Sequence, residues 1–405
     1  MVETGLPAEV GEARSLFPGV GSGPYLDVAR RGLLSRPARA AIERMLDEQS
    51  AGEVDKQAWF ATVERARQRF AELIGAAADE VAIVKNVSEG LNAIAASIDW
   101  RPGDNAILCP ELEHPNNVYP WLGLARRHGI ELRTVPADDG RMPEARMVEA
   151  IDARTRALTA STVTFSPGFR TDIGVLGRAC RERDVLFLVD GVQSVGVVAT
   201  DVSALGIDAM AVSTQKGLLG LYGMGFLYCR RQWAERLEPV YLARFGVDAG
   251  EGAHEAALGN TDFTYMAGAR RFDLGNYNFP AAAVADVSLG LLGKFGPTAI
   301  EAHVSGLVRQ LAGGLLALGL PVCGGEPDPH LAGIVTVGRI GAGGHDSADD
   351  PGLNALSRHL ADHGVRHSVR RGVLRFSLHL YNDAGDVARV ITLAEDWLRR
   401  RNRGF

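Results

Sequence analysis

DVLFLVDGVQSVGVVATDVSALGIDAMAVSTQKGLLGLYGMGFLYCR (residues 184–230) holds three short apolar runs: VLFLVD (185–190), IDAMAVS (207–213) and MGFLYC (224–229). Runs of this length, bounded by Gly, Asp and Ser, read as strands buried on both faces. The first two close on polar residues, Asp190 and Ser213, and open into turns. Upstream, the same texture recurs in VAIVK (81–85), NAILC (105–109), ELRTV (131–135) and ALTAST (157–162). Helical apolar spacing fills 89–97, 117–128, 144–153 and 174–183 between most of them. Strand–helix alternation of this length predicts an α/β fold with a mostly parallel, seven-stranded sheet covered on both faces.

Outside this unit the texture changes. Helices are predicted over 36–49 and 57–75, and again over 281–295 and 299–319. A strand (GIVTV, 333–337), a surface loop (GAGGHDSADDPG, 341–352), a helix (353–364), a strand pair (366–370 and 373–380) and a last helix (386–400) follow. The expected organisation is a large domain over 21–282 and a smaller α+β domain over 283–405, with residues 1–20 packing on the smaller one.

Composition narrows the partners. The chain has 405 residues, 46% of them hydrophobic, and a net charge of −6. That balance disfavours nucleic acid and anionic membranes, which attract basic surfaces. No apolar stretch approaches bilayer length. MVETGLPAEVGEARS has no basic-then-apolar run, so no signal peptide is expected. Cys109, Cys180, Cys229 and Cys323 lie far apart and form no CxxC. No disulfide framework or metal site is expected, and the location expected is the cytoplasm.

Open parallel sheets bind ligands beyond the carboxyl ends of their strands. Asp190 stands at such an end, where an acid requires a partner. A protonated ring nitrogen, a metal or a helix cap would each serve. Lys216, in AVSTQKGLLG, follows the next strand in a tight turn suited to a Schiff-base amine. Lysine is scarce here: Lys56 and Lys294 lie on helical patterns, and only Lys85, also after a strand, competes. Val87-Ser88-Glu89-Gly90 opens a helix and suits either a phosphate or a plain N-cap. His114, in ELEHPNNVYPW, can stack on a flat ring or be structural. Arg375, in VLRFSLHLYN, suits a carboxylate, as do the nearby Arg370 and Arg371. GVGSG (19–23) invites a nucleotide, but no strand precedes it and no helix follows.

The order of these elements resembles the class V aminotransferase family of pyridoxal-phosphate (PLP) enzymes, of the aspartate aminotransferase-type fold I. The carriers are DGVQ (190–193), STQK (213–216), VSEGLN (87–92) and RFDLGNYN (271–278). The family includes cysteine desulfurases, cysteine C–S lyases and isopenicillin N epimerase-like proteins. The resemblance implies that Lys216 carries PLP as a Schiff base. It implies that Asp190 pairs with the ring nitrogen and Gln193 with the phenolic oxygen. His114 would cover one ring face and Val192 the other. Ser88, the backbone of Glu89, Ser213 and Gln215 would hold the phosphate. Asn276 would reach the partner subunit's phosphate, implying a homodimer, and Arg375 would grip the substrate carboxylate.

Two departures stand out. The residue before the lysine is Gln215 rather than the family's frequent histidine. RHSVRRGVLRFS (366–377) also lacks the nucleophilic cysteine and the mobile loop of desulfurases. The expected function is therefore a C–S β-lyase acting on cysteine or a cysteine S-conjugate, yielding pyruvate and ammonia. Transamination, epimerisation or decarboxylating deamination of an amino-acid conjugate in natural-product biosynthesis shares the first steps and stays open. A non-catalytic protein of the same fold is the reading from another class. The Gly-rich stretch 246–261 is either an active-site lid or a solvated loop.

Overall fold

The computed structural model describes residues 7–248, 250, 263–341, 344 and 346–402. All seven runs form strands of one sheet: β1 (Val81–Val84), β2 (Asn105–Leu108), β3 (Glu131–Thr134), β4 (Thr155–Ser161), β5 (Leu186–Asp190), β6 (Ala209–Ser213) and β7 (Gly225–Cys229). Their order is β1-β7-β6-β5-β4-β2-β3. Only β7 is reversed, pairing antiparallel with both β1 and β6. The carboxyl ends of β1, β2, β4, β5 and β6 therefore share one edge. Every residue of β1, β2, β5, β6 and β7 is buried, as two-sided coverage requires.

Helices α1 (Pro7–Ser15), α2 (Arg36–Ala51) and α3 (Lys56–Ile74) precede the sheet; α4 (Val87–Ala96), α5 (Tyr119–His128), α6 (Glu144–Glu149), α7 (Ile173–Glu182) and the short α8 (Arg231–Ala234) accompany it. Local chemistry sets their ends. Ser35, Asp55, Asn86 and Asp172 accept first-turn amides of α2, α3, α4 and α7. Gly52 and Gly75 close α2 and α3 in the left-handed region. On the sheet, Phe70 of α3 stacks on Phe226 of β7, with centroids 4.2 Å apart. Gly177 lets α7 approach the chain after β5: a Cβ there would lie 2.1 Å from the Leu205 carbonyl oxygen.

Beyond a two-residue pair, β8 (Val247–Asp248) and β9 (Thr264–Tyr265), the chain enters α9 (Phe279–Phe295) and α10 (Pro297–Ala317). β10 (Ile334–Val337), α11 (Pro351–Asp362), β11 (Ser368–Arg370), β12 (Val373–Ser377) and α12 (Ala384–Asn402) complete it. The three strands form an antiparallel sheet in the order β10-β12-β11. Arg371 and Gly372, at φ of +50° and +85°, join β11 to β12 in a tight two-residue turn. Arg14 of α1 binds Asp386 at 2.8 Å and the Tyr381 carbonyl at 2.8 Å, tying the N-terminal segment to α12.

Several boundaries differ from expectation. The pattern read as helix over 117–128 begins as a 3₁₀ turn at Pro115–Asn117, and α5 starts at Tyr119, with Pro120 in its first turn. GVGSG lies largely in a 3₁₀ turn, Pro18–Ser22. α1 was not expected because its sequence carries no apolar stripe. Of the stretch 246–261 read as a lid or loop, residues 249 and 251–261 lie outside the described residues. Among the described residues no single helix is long and apolar enough to cross a membrane.

Candidate active site

Most of the candidates follow strands whose carboxyl ends share one edge of the sheet, whereas Arg375 lies on β12 and Asn276 in the segment before α9. Asp190 ends β5 and is 2% exposed. Its Oδ1 accepts the Val192 amide at 3.0 Å, and its carboxylate has no second hydrogen bond among the described residues. Burial pushes its pKa up; the Val192 amide and the Lys216 charge oppose that shift. An enclosed acid with an unused oxygen and no guanidinium suits a cationic ring nitrogen. A pyridinium therefore fits the residues present.

Lys216 reaches the site from the turn after β6. That turn is held by Thr214, whose Oγ donates to the Met224 carbonyl at 3.0 Å. The Gln215 carbonyl accepts the Gly32 amide at 2.8 Å, and the Lys216 carbonyl accepts the Leu219 amide at 3.0 Å. Lys216 is half-buried. Burial lowers its amine from the ordinary 10.5 to about 8; Asp190 opposes the shift, while Arg375 and Arg370 reinforce it. An amine so tuned is a better nucleophile and proton acceptor near neutrality.

The proposed phosphate cradle lies at the start of α4. Two of its groups already have partners: Ser213 Oγ accepts the Val87 amide at 2.7 Å, and Asn86 Oδ1 accepts the Glu89 amide at 3.0 Å. The Glu89 carboxylate instead takes the Lys85 amide. Lys85, the competing lysine, is exposed, unlike Lys216. Ser88 lies in the first turn of the helix, half-buried. Gln193 is 9% exposed and donates to the Ala29 carbonyl at 3.2 Å. Val192 is buried, and Asn276 is exposed.

His114 caps the 3₁₀ turn after β2, its Nδ1 accepting the Asn116 amide at 3.2 Å. Arg375 on β12 is 2% exposed; Nε donates to Ser368 Oγ at 3.1 Å and Nη1 to the Phe165 carbonyl at 2.9 Å. Burial lowers its pKa to about 10; Asp27 opposes the shift, and Arg370 and Arg30 add to it. Arg370 is also buried and pairs with Asp346 at 3.0 Å, whereas Arg371 turns away and donates to the Glu111 carbonyl. Cavities of about 820 Å³, lined by Cys323 and Arg371, and about 410 Å³, lined by Thr162 and His330, open elsewhere; neither is lined by Lys216.

Two acids escaped the sequence reading. Asp27, 6% exposed with Oδ1 unpartnered, faces Arg375 and Arg370, and burial raises its pKa. Glu113, beside His114, accepts the Ser161 amide (2.7 Å), the Ser161 hydroxyl (2.6 Å) and Asn117 Nδ2 (2.7 Å). Burial lifts its carboxyl to about 7; those bonds oppose the shift, and Asp190 adds to it. Ser161 is the registered neighbour of Asp190, so Glu113 ties the His114 segment to the strand beside Asp190. Neither acid carries a sequence signal, since both sit outside periodic patterns.

The aminotransferase class-V family description matches residues 47–390. A probable cysteine desulfurase of Methanothermobacter thermautotrophicus is 30% identical over 335 residues, covering 80% of this chain and 81% of that protein. The apo cysteine desulfurase structure from Thermococcus onnurineus NA1 has a TM-score of 0.83 at 23% identity, covering 99% of this chain and 100% of that one. The cystine C–S lyase C-DES, in complex with its product cysteine persulfide, has a TM-score of 0.82 at 23% identity, covering 94% and 99%. At this identity the structural likeness speaks for the fold.

Proposed function

The chain belongs to the aminotransferase class-V family of PLP-dependent enzymes, and from that premise we propose that it is a C–S β-lyase acting on cysteine or a cysteine S-conjugate. The overall change is S-substituted cysteine plus water to a free thiol, pyruvate and ammonia. The observation that carries this reading is the β11–β12 hairpin: Arg371-Gly372 closes it in two residues, leaving no loop and no cysteine before Arg375. The four cysteines offer no substitute. Cys109, Cys180 and Cys229 are buried and Cys323 half-buried, and burial raises all four thiols above their ordinary value. A nucleophilic protein sulfur, which desulfurisation would need, is thus poorly supported; an elimination needs none.

When bound, PLP supplies an electron sink that stabilises negative charge at the substrate Cα. In this reading Nζ of Lys216 would hold the cofactor, and the same amine, when free, would take the Cα proton. Asp190 keeps the ring nitrogen protonated. Arg375 orients the substrate through its carboxylate. Gln193 would serve the phenolic oxygen, and His114 and Val192 would hold the two faces of the ring. Ser88, the backbone of Glu89, Ser213 and Gln215 would hold the phosphate, the Glu89 amide exchanging its Asn86 cap for a phosphate oxygen. Asn276, exposed on the single chain, reaches a second copy in a homodimer. The division at 282/283, with residues 1–20 on the smaller domain, and a cytoplasmic location belong to the same proposal.

The test is release of pyruvate and free thiol from S-substituted cysteines by the purified, yellow enzyme. Products that keep the carbon–sulfur bond would overturn the reading in favour of transamination or epimerisation.

A further inference from the structure

Two groups assigned above are anchored by one residue with no role so far. The backbone carbonyl of Phe165 accepts Nη1 of Arg375 at 2.9 Å. Its ring meets the His114 imidazole edge to face, with centroids 5.3 Å apart and planes at 74°. Its neighbours Val163, Thr164 and Ser166 are buried, yet Phe165 is half-buried. The segment after β4 thus turns one aromatic ring out of the core, beside His114. A partly open ring at that point gains by being covered.

We propose that Phe165 is a specificity-determining residue that selects cysteine conjugates whose sulfur carries an apolar or aromatic group. The inference rests on the lyase reading. A substrate carboxylate on Arg375 lies beside the backbone of Phe165, and a ring face next to His114 lies beside its side chain. A substrate spanning those two points brings its β-substituent within reach of the phenyl ring. Free cysteine and small S-substituents leave that ring uncovered. Arg370 lies on the same face of the hairpin as Arg375, so an acidic S-substituent is the competing choice to be tested.

The experiment uses the holoenzyme and the variants F165A and F165L. S-benzyl-, S-methyl- and S-carboxymethyl-L-cysteine are compared by pyruvate release and by titrating the cofactor absorbance. The wild type is expected to favour S-benzyl over S-methyl by about tenfold or more in kcat/KM, the scale of small differences in an apolar pocket. In F165A both rates fall, but that ratio falls toward one, chiefly through KM for S-benzylcysteine. F165L restores part of it. Truncating the side chain leaves the carbonyl that holds Arg375, so an equal loss for all substrates would mark a merely structural role and overturn the proposal. Preference for S-carboxymethylcysteine would also overturn it. If no conjugate releases pyruvate, the lyase reading fails by itself. The absorbance titration then decides this one: S-benzylcysteine must still bind more tightly to the wild type than to F165A.

Discussion

Asp190 and Asp273 are both 2% exposed and both lie at the same sheet, yet they are partnered in opposite ways. Asp273 accepts the Ile83 amide at 2.7 Å, Arg67 Nη2 at 2.7 Å and the Tyr277 hydroxyl at 2.8 Å. Among the described residues the Asp190 carboxylate accepts one amide and no other hydrogen bond. A buried acid surrounded by donors and a guanidinium is part of the scaffold. A buried acid left with one bond has acceptor capacity to spare, as the role proposed for Asp190 requires. Burial alone does not separate function from architecture; the count of partners does.

The largest effect expected is at the other half of the site. Replacing Lys216 with Ala should lower turnover by about a thousandfold or more, since both the covalent anchor and the base are lost. Pyruvate release measures this; near-normal turnover would break the assignment. The comparison itself is tested by D190A and D273A. D190A should reduce kcat by about a hundredfold, the scale of removing one electrostatic group from a site, with little change in thermal melting. D273A strands the fully buried Arg67 and should cost about 3–5 kcal/mol of stability, read by denaturant unfolding. The reverse pattern would show that the partner count misleads.

Two pH measurements sharpen the contrast. In cofactor-free protein, acylation of Lys216 should rise with pH around a midpoint near 8 instead of the ordinary 10.5, because burial disfavours the charged amine. D190N should move that midpoint lower still, since the carboxylate is the neighbour that favours the charge. The smallest effect concerns Glu113, whose carboxyl is raised to about 7. A raised carboxyl binds its proton more tightly folded than unfolded. Its contribution is complete below the unfolded pKa and is lost as pH rises through about 7. E113Q should flatten the fall in melting temperature across that window; an unchanged slope would remove Glu113 from the account.

The strands were legible because each is a short apolar run punctuated by turn residues, and the sheet follows from their alternation with helices. Asp190 and Lys216 stood out in the sequence because one closes a strand and the other follows one in a turn, where a polar group is conspicuous; the structure places both at the carboxyl edge of the sheet. Glu113, Asp27 and Phe165 were not. Glu113 reads as a surface acid until Ser161 and Asn117 close over it. Asp27 gains meaning only when β12 brings Arg375 beside it. Phe165 looks like one more core aromatic until the fold leaves it half-open. The Glu89 amide is a further case: its place at the first turn of α4 suggested a phosphate, and only the structure shows that Asn86, three residues earlier, already caps it.

The most direct test of the central claim is borohydride reduction of the yellow protein followed by peptide mapping. The account predicts the reduced cofactor on Lys216 of the native protein and no such label in K216A. Label on Lys85, or on no lysine of the native protein, would contradict it.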